Sequence, residues 1–252
     1  QILVGGSWQN SDSSVYQSTV TTVETNTLID ASATLNGDGG EIVIWSDITN
    51  NNSVTTVNGT LYAKGGSQGG DGGRIETSGG TLNYDSIEVS TITSTNDAGL
   101  WLIDPYNYFL STANLTTLDG NLDSNNITIT TTGGTSGSFS ASSYGSGYIV
   151  FEDDFTYDGS GNRTLTLTAD DQIYLQGINA SGSGSLSLVL NASGSNIFID
   201  ENISTNGGSF TSTSDTIHFQ KLDGNQSLST SGGNVNFGSA NVWLGKSDNV
   251  NN

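Results

Sequence analysis

Three aromatic rings and one imidazole could bind a ligand, because they occupy equivalent positions in a repeated sequence pattern. The four residues are Tyr174, Phe198, His218 and Trp243, and each is the middle residue of a short apolar triplet. Alternate residues of a strand face opposite sides. If the flanking residues face inward, the four rings form an outward row that could bind sugar rings or another protein. The same row could serve only to stack one strand on the next, and inward-facing rings remain an alternative.

The triplets recur along the second half of the chain. They begin at Ile127, Ile149, Ile173, Ile197, Ile217 and Val242. The steps between these first residues are 22, 24, 24, 20 and 25. A strand-like motif at a period in the twenties is typical of a solenoid, in which neighbouring coils stack and share one core. The pattern also predicts that Thr128 and Val150, the middle residues of the first two triplets, extend the outward row.

Composition favours an all-β chain. The 252 residues include 34 Gly, one Pro and no Cys, and the abundant Thr, Val and Ile favour strands. The absence of Cys excludes disulfides, Cys-zinc sites and Cys nucleophiles. A net charge of −20 opposes binding to nucleic acid or to an anionic membrane, and no apolar run approaches the roughly 20 residues that span a bilayer. We therefore expect neither a nucleic-acid partner nor membrane insertion.

Carboxylates are the candidates for catalysis. Acidic residues cluster at 152–154 and at 170–171, and glycoside hydrolysis uses two carboxylates on either side of a sugar. A step of one 24-residue coil from Glu152 reaches Gln176 rather than an acid. The acids of neighbouring coils therefore do not align, and we predict no enzymatic activity. A polysaccharide-active enzyme is the third and weakest alternative.

The sequence predicts no metal site or cofactor. His218 is the only histidine, and both a catalytic triad and a histidine-rich metal site need further partners. The turn at residues 158–162 has oxygen ligands at alternate positions but lacks the later acid of a helix-loop-helix calcium site. The glycine-rich run at residues 65–73 resembles a calcium-binding nonapeptide, yet it occurs once. Calcium is the alternative left open.

The first 110 residues contain a series of motifs in a recognisable order. The motifs are Ile-Leu-Val-Gly-Gly (2–6), Ile-Asp-Ala-Ser-Ala (29–33), Asp-Gly-Gly-Glu-Ile-Val-Ile-Trp-Ser-Asp (38–47), Gly-Gly-Asp-Gly-Gly-Arg-Ile-Glu-Thr-Ser-Gly (69–79) and Gly-Leu-Trp-Leu-Ile-Asp-Pro (99–105). This order resembles the filamentous-haemagglutinin-like large exoproteins of bacterial two-partner secretion, which include adhesins. The resemblance implies a right-handed parallel β-helix, an outer-membrane secretion partner, and a location outside the cell or on the surface of a Gram-negative bacterium.

These observations together predict an all-β, right-handed parallel β-helix of about nine or ten coils. We expect haemagglutinin-like coils with insertions over residues 1–105, an irregular coil or connecting loop over 106–126, and regular coils of 20–25 residues over 127–252. The predicted function is an extracellular structural rod of a secreted adhesin, or a subunit of a head-to-tail filament. Partners would be further copies, bound end to end or laterally, and a glycan or protein on a host or neighbouring cell. The alternative is a carbohydrate-binding module that uses the aromatic row.

Overall fold

The computed structural model describes residues 1–50, 52–131 and 147–245, and these residues form mainly β-strands in parallel sheets. The strands up to residue 131 are β1 (Ile2–Val4), β2 (Val20–Val23), β3 (Leu28–Asp30), β4 (Glu41–Trp45), β5 (Val54–Val57), β6 (Thr60–Tyr62), β7 (Arg74–Gly79), β8 (Thr81–Asn83), β9 (Glu88–Ser90), β10 (Leu100–Pro105), β11 (Tyr108–Leu110) and β12 (Asn126–Thr130). The strands after residue 146 are β13 (Ile149–Phe151), β14 (Phe155–Tyr157), β15 (Arg163–Thr168), β16 (Ile173–Leu175), β17 (Ile178–Ala180), β18 (Leu186–Ile199), β19 (Ile203–Ser204), β20 (Phe210–Phe219), β21 (Leu228–Ser229), β22 (Val235–Asn236) and β23 (Asn241–Leu244). A short 3-10 helix occupies Trp8–Asn10, and an α-helix, α1, occupies Thr112–Leu122.

Nine strands form one continuous parallel ladder. Their order is β1, β4, β7, β10, β12, β15, β18, β20 and β22, and each pairs with the next in parallel. One register position runs through the whole ladder and places apolar side chains in a column. That column consists of Ile2, Ile42, Ile75, Trp101, Ile127, Leu165, Leu188, Phe210 and Val235. Seven of the nine are buried, and the two end residues are more exposed.

Two further positions follow each ladder strand except β22, which is followed by β23 alone among the described residues. The second is occupied by β2, β5 and β8, and later by β11, β13, β16, the end of β18, the end of β20, and β23. The third is occupied by β3, β6 and β9, then by α1, and then by β14, β17, β19 and β21. The described residues thus form nine repeating units around a shared apolar core, and the last of these has no described element at the third position. This arrangement is compatible with a solenoid.

The first triplet does not belong with the other five. Ile127 pairs with Trp101 and Leu165 in the ladder, whereas the other five triplets stack on one another at the second position. The 22-residue step from Ile127 to Ile149 therefore joins two positions of one unit rather than two neighbouring units. Consequently Thr128 pairs with Thr166, and the prediction that it extends the aromatic row is wrong.

Residues 106–126 contain a strand and a helix where an irregular coil or loop was expected. β11 lies here and pairs with β13. Ser111 caps α1, because its side chain accepts a hydrogen bond from the Asn114 amide and the Asn114 side chain bonds back to the cap. Leu115, Leu118 and Leu122 are buried on one side of the helix. Three threonines and one glycine in the same segment lower its helix propensity, so the amphipathic spacing of the leucines was not recognised from the sequence.

Helix α1 takes the place of a strand at the third position. On one side, Asn121 accepts a hydrogen bond from the Val89 amide at 2.6 Å and donates one to the Ile87 carbonyl at 3.2 Å. Asn125 donates to the Val89 carbonyl at 2.7 Å. These amide side chains replace the backbone groups that a neighbouring strand would present to β9, so the buried edge remains paired.

Carboxylates of the helix bond to the next unit on its other side. Asp119 accepts a hydrogen bond from the Asp158 amide at 3.2 Å. Asp123, the C-cap, accepts from the amides of Ser160 at 2.9 Å and Gly161 at 3.0 Å. The helix is therefore bonded to the units before and after it.

Candidate functional site

The structure brings the four predicted site residues together in one row. Tyr174 pairs with Phe198, Phe198 with His218, and His218 with Trp243 in the strand register. The ring centroids are 4.7, 4.7 and 5.5 Å apart in that order. The first three rings are half-buried and Trp243 is 38 % exposed. The row therefore lies on the outer side of the second position, as the alternation of the triplets predicted.

The rings of this row lie face to face. The planes of Tyr174 and Phe198 differ by 11°, and those of Phe198 and His218 by 13°. Nearly parallel rings at a centroid distance of 4.7 Å must overlap by their faces, because side-by-side rings would collide. The faces are thus covered by neighbouring rings and mainly the edges reach solvent. Among the rings of this row, Trp243 is the most exposed, so it is the one whose face a sugar could best reach.

One member of the row was missed by the sequence analysis. Tyr148 lies 6.1 Å from Tyr174, with ring planes 21° apart. It precedes the triplet that begins at Ile149 rather than standing in its middle, so the alternation gave no signal for it. Val150, the middle residue of that triplet, does pair with Tyr174 but is only 7 % exposed.

His218 lies between the rings of Phe198 and Trp243. Partial burial lowers the pKa of its imidazole, because the charged form loses solvation there. A neutral imidazole stacks between aromatic rings without a buried charge. The stacked histidine expected from the sequence therefore agrees with its surroundings.

Three of the five candidate catalytic carboxylates bond through their side chains to neighbouring backbone and hydroxyl groups. Asp154 accepts a hydrogen bond from the Gly177 amide at 2.7 Å, and Asp171 accepts one from the Ser195 hydroxyl at 2.7 Å. Asp153 accepts from the Asp154 amide at 2.9 Å and the Thr112 hydroxyl at 2.9 Å, and both bonds lower its pKa. Each of these three acids thus bonds its own unit to an adjacent one.

The turn at residues 158–162 is organised by hydrogen bonds to Asp123, described above. The Tyr157 hydroxyl also donates to the Gly161 carbonyl at 2.6 Å, and Asn162 accepts from the Ser185 amide at 3.1 Å. Among the described residues, no group of three or more His, Cys, Asp or Glu side chains is arranged to hold a metal ion. Calcium binding at this turn stays a prediction.

Two buried acids lie outside the motifs that sequence analysis associated with chemistry. Glu76 is fully buried on the outer side of the ladder, and Asp104 is 3 % exposed. Glu76 accepts hydrogen bonds from the Gln9 amide at 2.9 Å and the Ser78 hydroxyl at 2.8 Å, while Oδ1 of Asp104 has no hydrogen-bond partner. Burial raises the pKa of Glu76 to about 7 and that of Asp104, which also faces the Glu76 charge, to about 8.

The segment between β1 and β2 contributes to this burial. The Trp8 ring lies 4.3 Å from the Arg74 guanidinium, and Gln17 accepts a hydrogen bond from the Trp45 indole at 3.2 Å. Residues 5–19 therefore contact the outer side of β4 and β7. No local sequence signal could reveal this cover, because Gln9 and Glu76 are 67 residues apart.

The most exposed apolar side chains lie in the terminal units. In the described part of the chain, the large apolar residues that are at least 36 % exposed fall into two groups. The first group is Leu3, Tyr16, Val20, Leu28 and Leu35, and the second is Leu222, Val235, Val242, Trp243 and Leu244. The units between them have their apolar side chains buried or half-buried. These two groups are therefore the exposed apolar surfaces of the described residues.

Comparison of the sequence with protein-family models gives no match, and comparison with curated proteins gives none. The resemblance to filamentous-haemagglutinin-like exoproteins thus rests on the five motifs alone and stays a prediction. Within residues 1–50, 52–131 and 147–245, no helix combines the length and the apolar character that a membrane crossing requires.

Proposed function

We propose that this chain is an extracellular structural rod, built as a right-handed parallel β-helix of nine coils. It would be either a segment of a secreted bacterial adhesin of the filamentous-haemagglutinin-like class or a subunit of a head-to-tail filament. The observation that supports this proposal is the nine-strand parallel ladder with its unbroken apolar column. Such a ladder transmits force along its axis through backbone hydrogen bonds and contiguous packing.

The side chains that could act chemically support a structural role. The row of rings is stacked upon itself, and the clustered acids bond to neighbouring backbone and hydroxyl groups. In this proposal the protein catalyses no reaction and needs no cofactor. It would leave the cell through an outer-membrane secretion partner, and a glycan or protein on another cell would be its distant target.

Carbohydrate binding is the alternative function. Its site would be Trp243, where the row ends and an indole is 38 % exposed. A glycan array probed with the protein and with Trp243→Ala tests this alternative. A signal lost in the variant would support it, whereas equal signals or none would remove it.

Small-angle scattering at low concentration, together with negative-stain electron microscopy, tests the proposed rod. Nine coils at about 4.8 Å per coil give an axial length of about 45 Å for one chain. We expect rigid particles of that length and no release of reducing ends from polysaccharides. Particles of a different length, or measurable polysaccharide turnover, would contradict the proposal.

A further inference from the structure

Two buried carboxyl groups lie on adjacent strands on the outer side of the ladder. β7 and β10 pair in parallel with Ser78 opposite Asp104, and Glu76 precedes Ser78 by two positions on β7. Ile75 and Ile103 belong to the buried core. The alternate residues Glu76, Ser78 and Asp104 therefore all face outward. Because neighbouring strands are about 4.8 Å apart, these three oxygen-bearing side chains meet at one place.

One oxygen atom at this place has no hydrogen-bond partner. Asp104 is only 3 % exposed, and its Oδ1 atom makes no hydrogen bond within the described residues. Buried polar atoms are normally hydrogen-bonded, and an exception is commonly explained by a bound water or ion. The Ser78 hydroxyl donates its hydrogen to Glu76 at 2.8 Å, so it cannot satisfy Asp104. The lone pairs of that hydroxyl remain available as a ligand.

Charge distinguishes a bound ion from a bound water at this place. Buried carboxylates are stable as charges only when they are paired or bound to a metal ion. Asp104 faces the Glu76 charge, and the cation that acts on Glu76, Arg74, already pairs with the carboxylate of Glu41. A water molecule would supply a hydrogen bond and leave both carboxylates uncompensated. A divalent cation would supply the missing partner and neutralise both.

We propose that Glu76, Ser78 and Asp104 form a binding site for one divalent cation of the calcium type. Calcium takes about six to eight oxygen ligands, mainly from carboxylates, carbonyls and water. The two carboxylates would supply the charge, the Ser78 hydroxyl a neutral ligand, and water or backbone carbonyls the remaining positions. The ion would join β7 to β10. Because the Gln9 amide bonds to Glu76, it would also fix the segment between β1 and β2. The site adds a bound ion to the proposed rod, whose ladder does not depend on it.

Calcium chloride added to protein freed of metal by a chelator tests the site. The titration is made at pH 8 in about 0.15 M salt, where interactions between exposed charges are screened. A single equivalent should bind in isothermal titration calorimetry with a dissociation constant of about 10 µM. About 1 mM calcium should then raise the midpoint of thermal unfolding by about 5 °C or more.

Three variants show whether calcium binds at the proposed residues. Asp104→Asn removes one charged ligand at nearly constant volume and should weaken calcium binding by about tenfold or more, with loss of most of the thermal shift. Glu76→Gln should have the same effect and serves as the second variant if Asp104→Asn does not fold, which circular dichroism shows. Asp215→Asn, at an exposed position of β20, is the matched control and should respond to calcium as the parent does.

The pattern among these proteins decides the proposal. A thermal shift in the parent and in Asp215→Asn that is lost in Asp104→Asn and Glu76→Gln would support it. Equal shifts in all four proteins would place calcium on the acidic surface and would overturn it. The absence of a shift in the parent would also overturn it, since the two carboxyl groups would then be buried without an ion. Neither negative result bears on the rod, which particle length tests.

Discussion

Arg163 joins three segments of the chain through its buried guanidinium group. It is 3 % exposed and donates hydrogen bonds to the carbonyl oxygens of Asn96, Asp123 and Asn162, at 2.5 to 3.0 Å. The carbonyls of Asn96 and Asp123 belong to the loop before β10 and to the cap of α1. Arginine is suited to this position because its planar group carries five donors.

Replacing Arg163 with methionine should therefore be strongly destabilising. Arg163→Met removes four hydrogen bonds from a buried side chain to partly buried carbonyls, so we expect a loss of about 2–4 kcal/mol in the free energy of unfolding by denaturant titration. Arg74→Met is the matched control. The Arg74 side chain is 53 % exposed in its ion pair with Glu41, and its loss should cost about 1 kcal/mol or less. Equal losses in the two variants would contradict the role given to Arg163.

Glu76 should make stability depend on pH. Its pKa is raised by burial from 4.5 to about 7, so the folded state binds more protons than the unfolded state between these values. Stability should consequently fall as pH rises from about 4.5 to about 7 and then level off. The pKa of Asp104 is raised from 3.8 to about 8. Its ionisation should therefore cause a further loss of stability as pH rises between these two values.

The variant Glu76→Gln tests this pH dependence. Its amide can still accept from the Gln9 amide and bond with the Ser78 hydroxyl, but it does not titrate. We expect the variant to be more stable than the parent by on the order of 2 kcal/mol at pH 8, with little difference at pH 4. The exposed residue Glu24 supplies the control variant Glu24→Gln, which should follow the parent curve. A constant difference between Glu76→Gln and the parent at all pH values would refute titration of Glu76.

At the scale of the element, Gly120 weakens helix α1. It is exposed, and a Cβ at this position would contact nothing within 4 Å. Gly120→Ala should therefore stabilise the protein by about 0.5–1 kcal/mol, since alanine is the better helix former and has fewer unfolded conformations. Thermal unfolding measures the change. No gain would mean that α1 is not helical in solution.

Alanine should destabilise the protein at Gly73, which directly precedes β7. A Cβ at Gly73 would collide with the carbonyl oxygen of Gly40, and one at Gly99 with the carbonyl oxygen of Gly73. These are backbone atoms of adjacent ladder segments and cannot rotate away. Gly73→Ala should cost on the order of 2 kcal/mol or more, so the same substitution has opposite signs at Gly73 and Gly120. Near-equal melting temperatures would contradict the close approach of the two backbones.

At the scale of the whole molecule, charge should oppose the proposed assembly. Each copy has a formal net charge of −20, so bringing copies together concentrates negative charge. Raising the salt concentration from about 0.01 to 0.15 M shortens the Debye length from about 30 to 8 Å and should shift association to lower protein concentration. Light scattering across a salt series measures this shift. Association that weakens as salt rises would instead indicate a contact governed by ion pairs.

The sequence predicted those features that depend on alternation within one strand. Tyr174 and Trp243 fall on one outer row because the apolar residues on either side of each face the core. The alternation could not assign Thr128, since a step of 22 residues fits both the distance between units and the distance within one. Burial of Glu76 was also beyond prediction, because the segment that covers it is distant in sequence. Helix α1 was missed because threonine, asparagine and glycine separate its three buried leucines. The bonds of Asn121 and Asn125 to β9 were also beyond prediction, since side chains that replace a backbone edge have no sequence period.

Helix α1 also shows that the third position of a unit can hold a helix instead of a strand. The units on either side of it keep the ladder in register from β10 to β12, although the segment between them is a helix rather than a strand. An inserted helix that buries an equivalent apolar face and offers donors and acceptors to β9 and to the turn after β14 should serve as well. The third position is therefore suited to grafting. A foreign helix that keeps the three buried leucines and the two asparagines at the matching positions could be displayed midway along the ladder without interrupting it.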